Sequence, residues 1–104
     1  MIRESESAVP AMHPAMPGHF PDNPVVPAVV ILEGVRNALT AWQEASSIAT
    51  ILHAKFVAVL RPEERFKITL SSDDLRRFSF DCRKDSGVRF AYGEFLAGPS
   101  DDAR

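Results

Sequence analysis

Two side chains in this sequence have the types and spacing for acid–base chemistry. His19 lies in Gly18-His19-Phe20-Pro21-Asp22-Asn23-Pro24-Val25-Val26-Pro27. Glu33 closes the apolar run that follows, Ala28 to Leu32. An imidazole titrates near neutrality and can take a proton, and a carboxyl can give one. Pro21, Pro24 and Pro27 stiffen the loop, since each fixes its own φ and pushes the preceding residue out of the helical region. Pro27 sits where a helix begins, because proline is tolerated at the first helical position. Glu33 then falls about two turns into that helix.

The elements that must hold these groups can be read from hydrophobic periodicity. Residues 27–44 predict the one substantial helix. Val29, Val30, Ile31, Leu32, Val35, Ala38, Leu39 and Trp42 form a wide apolar face, against a polar stripe of Glu33, Arg36, Asn37, Thr40 and Glu44. The nearly continuous apolar start predicts buried first turns. Residues 2–9 predict a short strand, and residues 10–27 a loop. After a polar break at 45–47 the period changes to two, predicting strands over 48–60, 65–71, 75–83 and 88–96. Arg61-Pro62-Glu63-Glu64, Ser72-Asp73-Asp74 and Lys84-Asp85-Ser86-Gly87 are the turns between them. Short turns require antiparallel neighbours, so the expected class is α+β, with one helix on an antiparallel sheet. The expected unit is one domain over 1–97, with a disordered tail over 98–104.

Composition narrows the function. At 104 residues the chain can build only a modest core, which favours assembly into an oligomer. A net charge of −2 argues against general nucleic-acid binding. The single cysteine, Cys82, excludes an internal disulfide framework and a cysteine-built metal site. With neither an apolar leader nor a membrane-length apolar run, a cytoplasmic protein is expected.

The loop and helix together resemble the active-site segment of hot-dog-fold 3-hydroxyacyl-[acyl carrier protein] dehydratases. The resemblance rests on Gly18-His19-Phe20-Pro21, Pro24, Pro27 and Glu33, fourteen residues beyond His19 (33 − 19 = 14). It implies a sheet wrapped around a central helix, with His19 and Glu33 as the catalytic pair. It also implies that the two come from opposite subunits of a homodimer, itself able to join a higher oligomer. Ala28 and Val29 would offer backbone amides to the thioester carbonyl, and Phe20 and Asn37 would also touch substrate. The substrate would be a thioester of acyl carrier protein or coenzyme A, with no cofactor or metal, no nucleic acid and no membrane. Ala28 replaces the family's usual glycine, Asn23 a frequent second histidine, and Asn37 a common glutamine. The segment before the loop is shorter than in the housekeeping enzymes, closer to compact members of polyene and aryl-polyene pathways. An acyl thioesterase and a non-catalytic hot-dog subunit paired with an active partner remain as alternatives.

Dehydration needs a base for the C2 proton, an acid for the leaving 3-hydroxyl and a donor for the enolate-like oxygen. His19 is the expected base. Glu33 is the expected acid, a duty that requires an apolar site. The first amides of the helix are the expected donors. Arg61, Arg65, Lys67, Arg76, Arg77, Arg83 and Lys84 are a candidate docking patch for an acidic carrier protein. His13 reads as surface loop, or as a helper near the site entrance. His53 reads as a sheet residue, and Cys82 as core. Phe56, Phe78 and Phe90 read as core or as acyl-tunnel lining.

Overall fold

Strict alternation shapes the middle of the sheet. Phe66, Ile68 and Leu70 are each about 1% exposed, while Lys67, Thr69 and Ser71 point the other way. A computed structural model of the chain describes residues 1–11, 13 and 25–99. Its elements are β1 (Ile2–Ser7), α1 (Ala28–Trp42), β2 (Ser46–Phe56), β3 (Phe66–Ser71), β4 (Arg77–Lys84) and β5 (Arg89–Pro99). The strands form one sheet in the order β1-β3-β4-β5-β2, with every neighbouring pair antiparallel. The α+β class follows as expected.

α1 turns Val30, Ile31, Val35, Ala38 and Leu39 onto the inner face of the sheet. There Phe78 and Phe95 stack at 5.2 Å, with the Trp42 ring edge-on to Phe78 at 5.6 Å. Phe66 and Phe90 pack edge-to-face at 5.3 Å. Such ring pairs add about 1 kcal/mol each beyond the area they bury. Cys82 lies among them and is fully buried, as its alternation with Phe78 and Phe80 implied. Burial, followed by the charge of Asp81, pushes its thiol up to about 12.

Three features depart from the periodic reading. β2 pairs with β5, not with β3, so residues 57–65 form a connection between distant strands and not a hairpin turn. That connection is tied by Val57 N–H to Phe90 O (2.9 Å) and Val26 N–H to Leu60 O (2.7 Å). Glu63 N–H reaches Val9 O at 2.7 Å, and Glu63 takes a φ of 67°, which costs a non-glycine residue about 1 kcal/mol. β2 also carries register shifts between Ile48 and Thr50 and between Ile51 and His53, which break its simple period of two. Finally, β5 runs through Pro99, with Gly98 opposite Ser47 and Pro99 opposite Ser46. Gly98 and Pro99 therefore belong to the sheet, not to the tail expected from 98.

The remaining turns are built as their residues suggest. The Ser72 hydroxyl accepts from Leu75 N–H (2.8 Å) and donates to Arg77 O (2.7 Å). Asp74 Oδ1 accepts from Arg76 N–H (2.9 Å) and Arg77 N–H (3.0 Å). These bonds, that from Arg77 first, hold the Asp74 carboxyl below its ordinary range. Gly87 adopts a φ of 94° and closes the β4–β5 hairpin onto Lys84 O at 2.8 Å.

Candidate active site

The site grows from the amino end of α1. Pro27 is extended (φ −63°, ψ 150°) and acts as the N-cap, one position earlier than its expected place inside the helix. Its carbonyl accepts from Val30 N–H (3.0 Å) and Ile31 N–H (3.3 Å). The amides of Ala28 and Val29 come before any intrahelical acceptor can reach them, and the N-cap Pro27 offers no side-chain bond to them. They are donors at the positive end of the helix dipole, suited to a carbonyl oxygen gaining charge. Both residues are exposed, Val29 at 67%. This corrects the expectation that the first turns are buried. Only Val30 and Ile31 turn inward there.

Among the described residues, two hollows flank this helix end. One, of about 390 Å³, is apolar and is walled by Val25, Val26, Ala28, Ile31 and residues 56–60. Phe56 is in its wall, whereas Phe78 and Phe90 are 0% exposed and belong to the core. The second, of about 270 Å³, is lined by Val29, Leu32, Glu33, Arg36, Ile48 and Ile51. Glu33 thus sits on an apolar-walled hollow between α1 and β2. Its side chain is still 45% exposed, so one chain does not supply the enclosed apolar site that acid duty was expected to require.

The structure brings Ala28, Val29 and Glu33 to one end of α1. Asn37 is exposed one turn further on and lines neither hollow. His19 and Phe20 lie outside the described residues. Among the described residues, the histidine that meets Glu33 is His13, its Nε2 at 3.4 Å from Glu33 Oε1. The available signal was Pro10, whose carbonyl accepts from His13 N–H at 3.0 Å to form a turn.

The expected basic patch is largely charge-compensated. Arg65 pairs with Glu6 and Asp85, Lys67 with Glu4, Arg77 with Glu94, Arg83 with Asp81 and Lys84 with Glu64. Lys67–Glu4 and Arg77–Glu94 are cross-strand pairs, Arg83–Asp81 lies along one strand, and the others involve residues of the connecting segments. Arg77, then His53, holds the Glu94 carboxyl below its ordinary range. His53 is indeed a sheet residue, with Nε2 at 3.2 Å from Glu94 Oε1. Among the described residues no group of three or more His, Cys, Asp or Glu side chains is placed to hold a metal ion. None of their helices is long and apolar enough to cross a membrane.

One apolar helix laid against a five-stranded antiparallel sheet, with the acid near the helix start, defines a hot-dog-fold protein. The chain belongs to the ApeI-like family, whose model, described as ApeI dehydratase, matches residues 3–94. It is 35% identical over 80 residues to the 3-hydroxyacyl-[acyl-carrier-protein] dehydratase FabZ of Chloroflexus aggregans. That match takes in 69% of this chain and 56% of the relative, so the chain spans about half the length of that protein. Among solved structures, the dehydratase heterocomplex ApeI:P from Xenorhabdus doucetiae superposes with a TM-score of 0.80 at 18% identity, over 92% of this chain and 86% of that one. The fluoroacetyl-CoA thioesterase FlK has the same fold at a TM-score of 0.67 and 16% identity, over 96% of this chain and 85% of that one.

Proposed function

We propose that this chain is a dehydratase that removes water from a 3-hydroxyacyl thioester carried on acyl carrier protein. The observation that carries this reading is the position of Glu33. It lies on an apolar-walled hollow beside the amino end of α1, in a chain of a dehydratase family. His19 takes the C2 proton, and the C–H electron pair becomes the new C2–C3 double bond. The C3–O bond breaks, and the hydroxyl leaves as water with the proton of Glu33. The C2 proton then passes from His19 to Glu33 to reset the site. The amides of Ala28 and Val29 hold the thioester oxygen while it carries charge. The acyl chain runs into the hollow walled by Phe56 and Val57.

The working form in this proposal is a homodimer, with His19 of one subunit facing Glu33 of the other. Its support is the exposed apolar surface of the edge strand and the segment after it: Ile51 at 42%, Leu52 at 40%, Phe56 at 39%, Val57 at 55% and Val59 at 50%. A second subunit laid there would cover these residues and bury Glu33.

The test is mass spectrometry of a 3-hydroxyacyl carrier protein incubated with the purified chain. The expected product is lighter by about 18 daltons, one water. His19→Ala lowers the rate on the order of 100-fold or more, as for a lost general base. Free carrier without that mass loss identifies a thioesterase. No reaction from a folded dimer identifies a non-catalytic subunit.

A further inference from the structure

We infer that His13 is a positioning residue for Glu33, an assignment that rests on the dehydratase reading above. Three observations carry it. The first is how firmly the backbone at His13 is placed. Val9 is 6% exposed within the core, and its carbonyl accepts from Glu63 N–H at 2.7 Å. Pro10 fixes its own φ, and its carbonyl accepts from His13 N–H at 3.0 Å. The imidazole is thus held close in sequence to backbone that is tied to the core at Val9 and to the turn at Pro10.

The second is the asymmetry of the contact. His13 Nε2 lies 3.4 Å from Oε1 of Glu33, and its side chain is only 20% exposed, against 45% for Glu33. With the proton on Nε2, the ring donates to Oε1. A carboxyl group otherwise rotates freely about its last torsion, which is broad and two-fold. Engaging Oε1 leaves Oε2 as the oxygen that carries the acidic proton.

The third is timing. When Glu33 gives its proton to the departing hydroxyl it becomes a carboxylate, and the bond from Nε2–H becomes charge-assisted and stronger. The contact is therefore strongest as the hydroxyl departs. His13 takes no proton from substrate and forms no bond to it. Its effect is on the orientation of Glu33.

Two measurements test this on the full chain. The first separates kcat from KM for His13→Ala and His13→Gln, beside the unmutated chain. His13→Ala is expected to lower kcat on the order of 10-fold, the scale of one lost hydrogen bond, with KM within about twofold. His13→Gln places an amide N–H near the same reach and is expected to restore kcat to within about threefold. Unchanged kcat in the folded His13→Ala variant overturns the assignment. So does a loss in His13→Ala that Gln fails to restore at equal thermal stability, or one confined to KM.

The second measurement needs no turnover. Nitrogen NMR of the His13 imidazole is expected to report the Nε2–H tautomer, with that nitrogen shifting in Glu33→Gln. Ring signals indifferent to Glu33→Gln overturn the pairing. If the unmutated chain shows no dehydration, the proposed function falls, and the imidazole spectrum still decides whether His13 holds Glu33.

Discussion

Replacing Gly93 by alanine is a small change with a large expected cost. Gly93 lies in β5, opposite Ala54 of β2 on one side and Phe80 of β4 on the other. A Cβ there collides with the backbone carbonyl oxygen of His53 and falls 2.9 Å from both Ala54 Cα and Phe80 Cε1. Two of these three atoms are backbone and cannot rotate away, so β2 must move off β5. Overpacking costs about 1–3 kcal/mol, and backbone obstruction puts this case near 3 kcal/mol. For a domain of this size each kcal/mol lowers Tm by roughly 4–8 °C, giving a fall of roughly 12–24 °C. In open surroundings the same substitution would stabilise by about 0.4–1 kcal/mol through the unfolded chain, so even the sign is informative. Thermal unfolding followed by circular dichroism reads the result. Because β2 supplies Ile48 and Ile51 to the Glu33 hollow, turnover well below the melting point should fall as well. A Tm within about 2 °C of the unmutated chain would refute the packing argument.

Other consequences can be checked at small cost. Cys82 should resist alkylation at pH 8 while folded and react once the chain is unfolded in urea, because burial holds its thiol near 12 against an ordinary 9.0. A group whose folded pKa is raised stabilises fully below its unfolded pKa. Stability should therefore decline from about pH 9 toward 12, at about 1.4 kcal/mol per pH unit from this thiol, and Cys82→Ala should flatten that slope in urea melts. Leu52→Asp on the exposed edge strand should leave the fold intact by circular dichroism, with a lower and less concentration-dependent Tm, while sedimentation shows a monomer and dehydration is lost. An active monomer, or an intact dimer, would contradict the two-subunit site.

The alternation of Phe66, Ile68 and Leu70 and of Phe78, Phe80 and Cys82 was enough to identify β3 and β4 and the face each buries, because a strand's side chains must alternate. The helix, its polar stripe and the place of Glu33 on it follow from a period of 3.6 residues in the same way. His19 and Glu33 could be proposed as a pair from residue type and spacing, and Glu33 does stand beside a hollow. Periodicity could not say that β2 joins β5 and not β3. Pairing between distant strands depends on which edges remain open once the nearer hairpins have formed. Nor could it foresee that Arg65, Lys67, Arg77 and Lys84 meet acidic partners, since those pairs arise from contacts across strands and turns, whereas Asp81 and Arg83 share one face of one strand.

What the sequence determined by itself is therefore local: the helix, the alternating strands and the residue types able to do acid–base chemistry. Tertiary structure decided what lies next to what. It turned Val29 outward, divided Phe56 from the core phenylalanines and brought His13 to Glu33 across twenty residues of chain. The physical reason is that backbone preference and amphipathic period act over a few residues. Contacts between distant residues are instead fixed by one shared core, to which every element must fit at once.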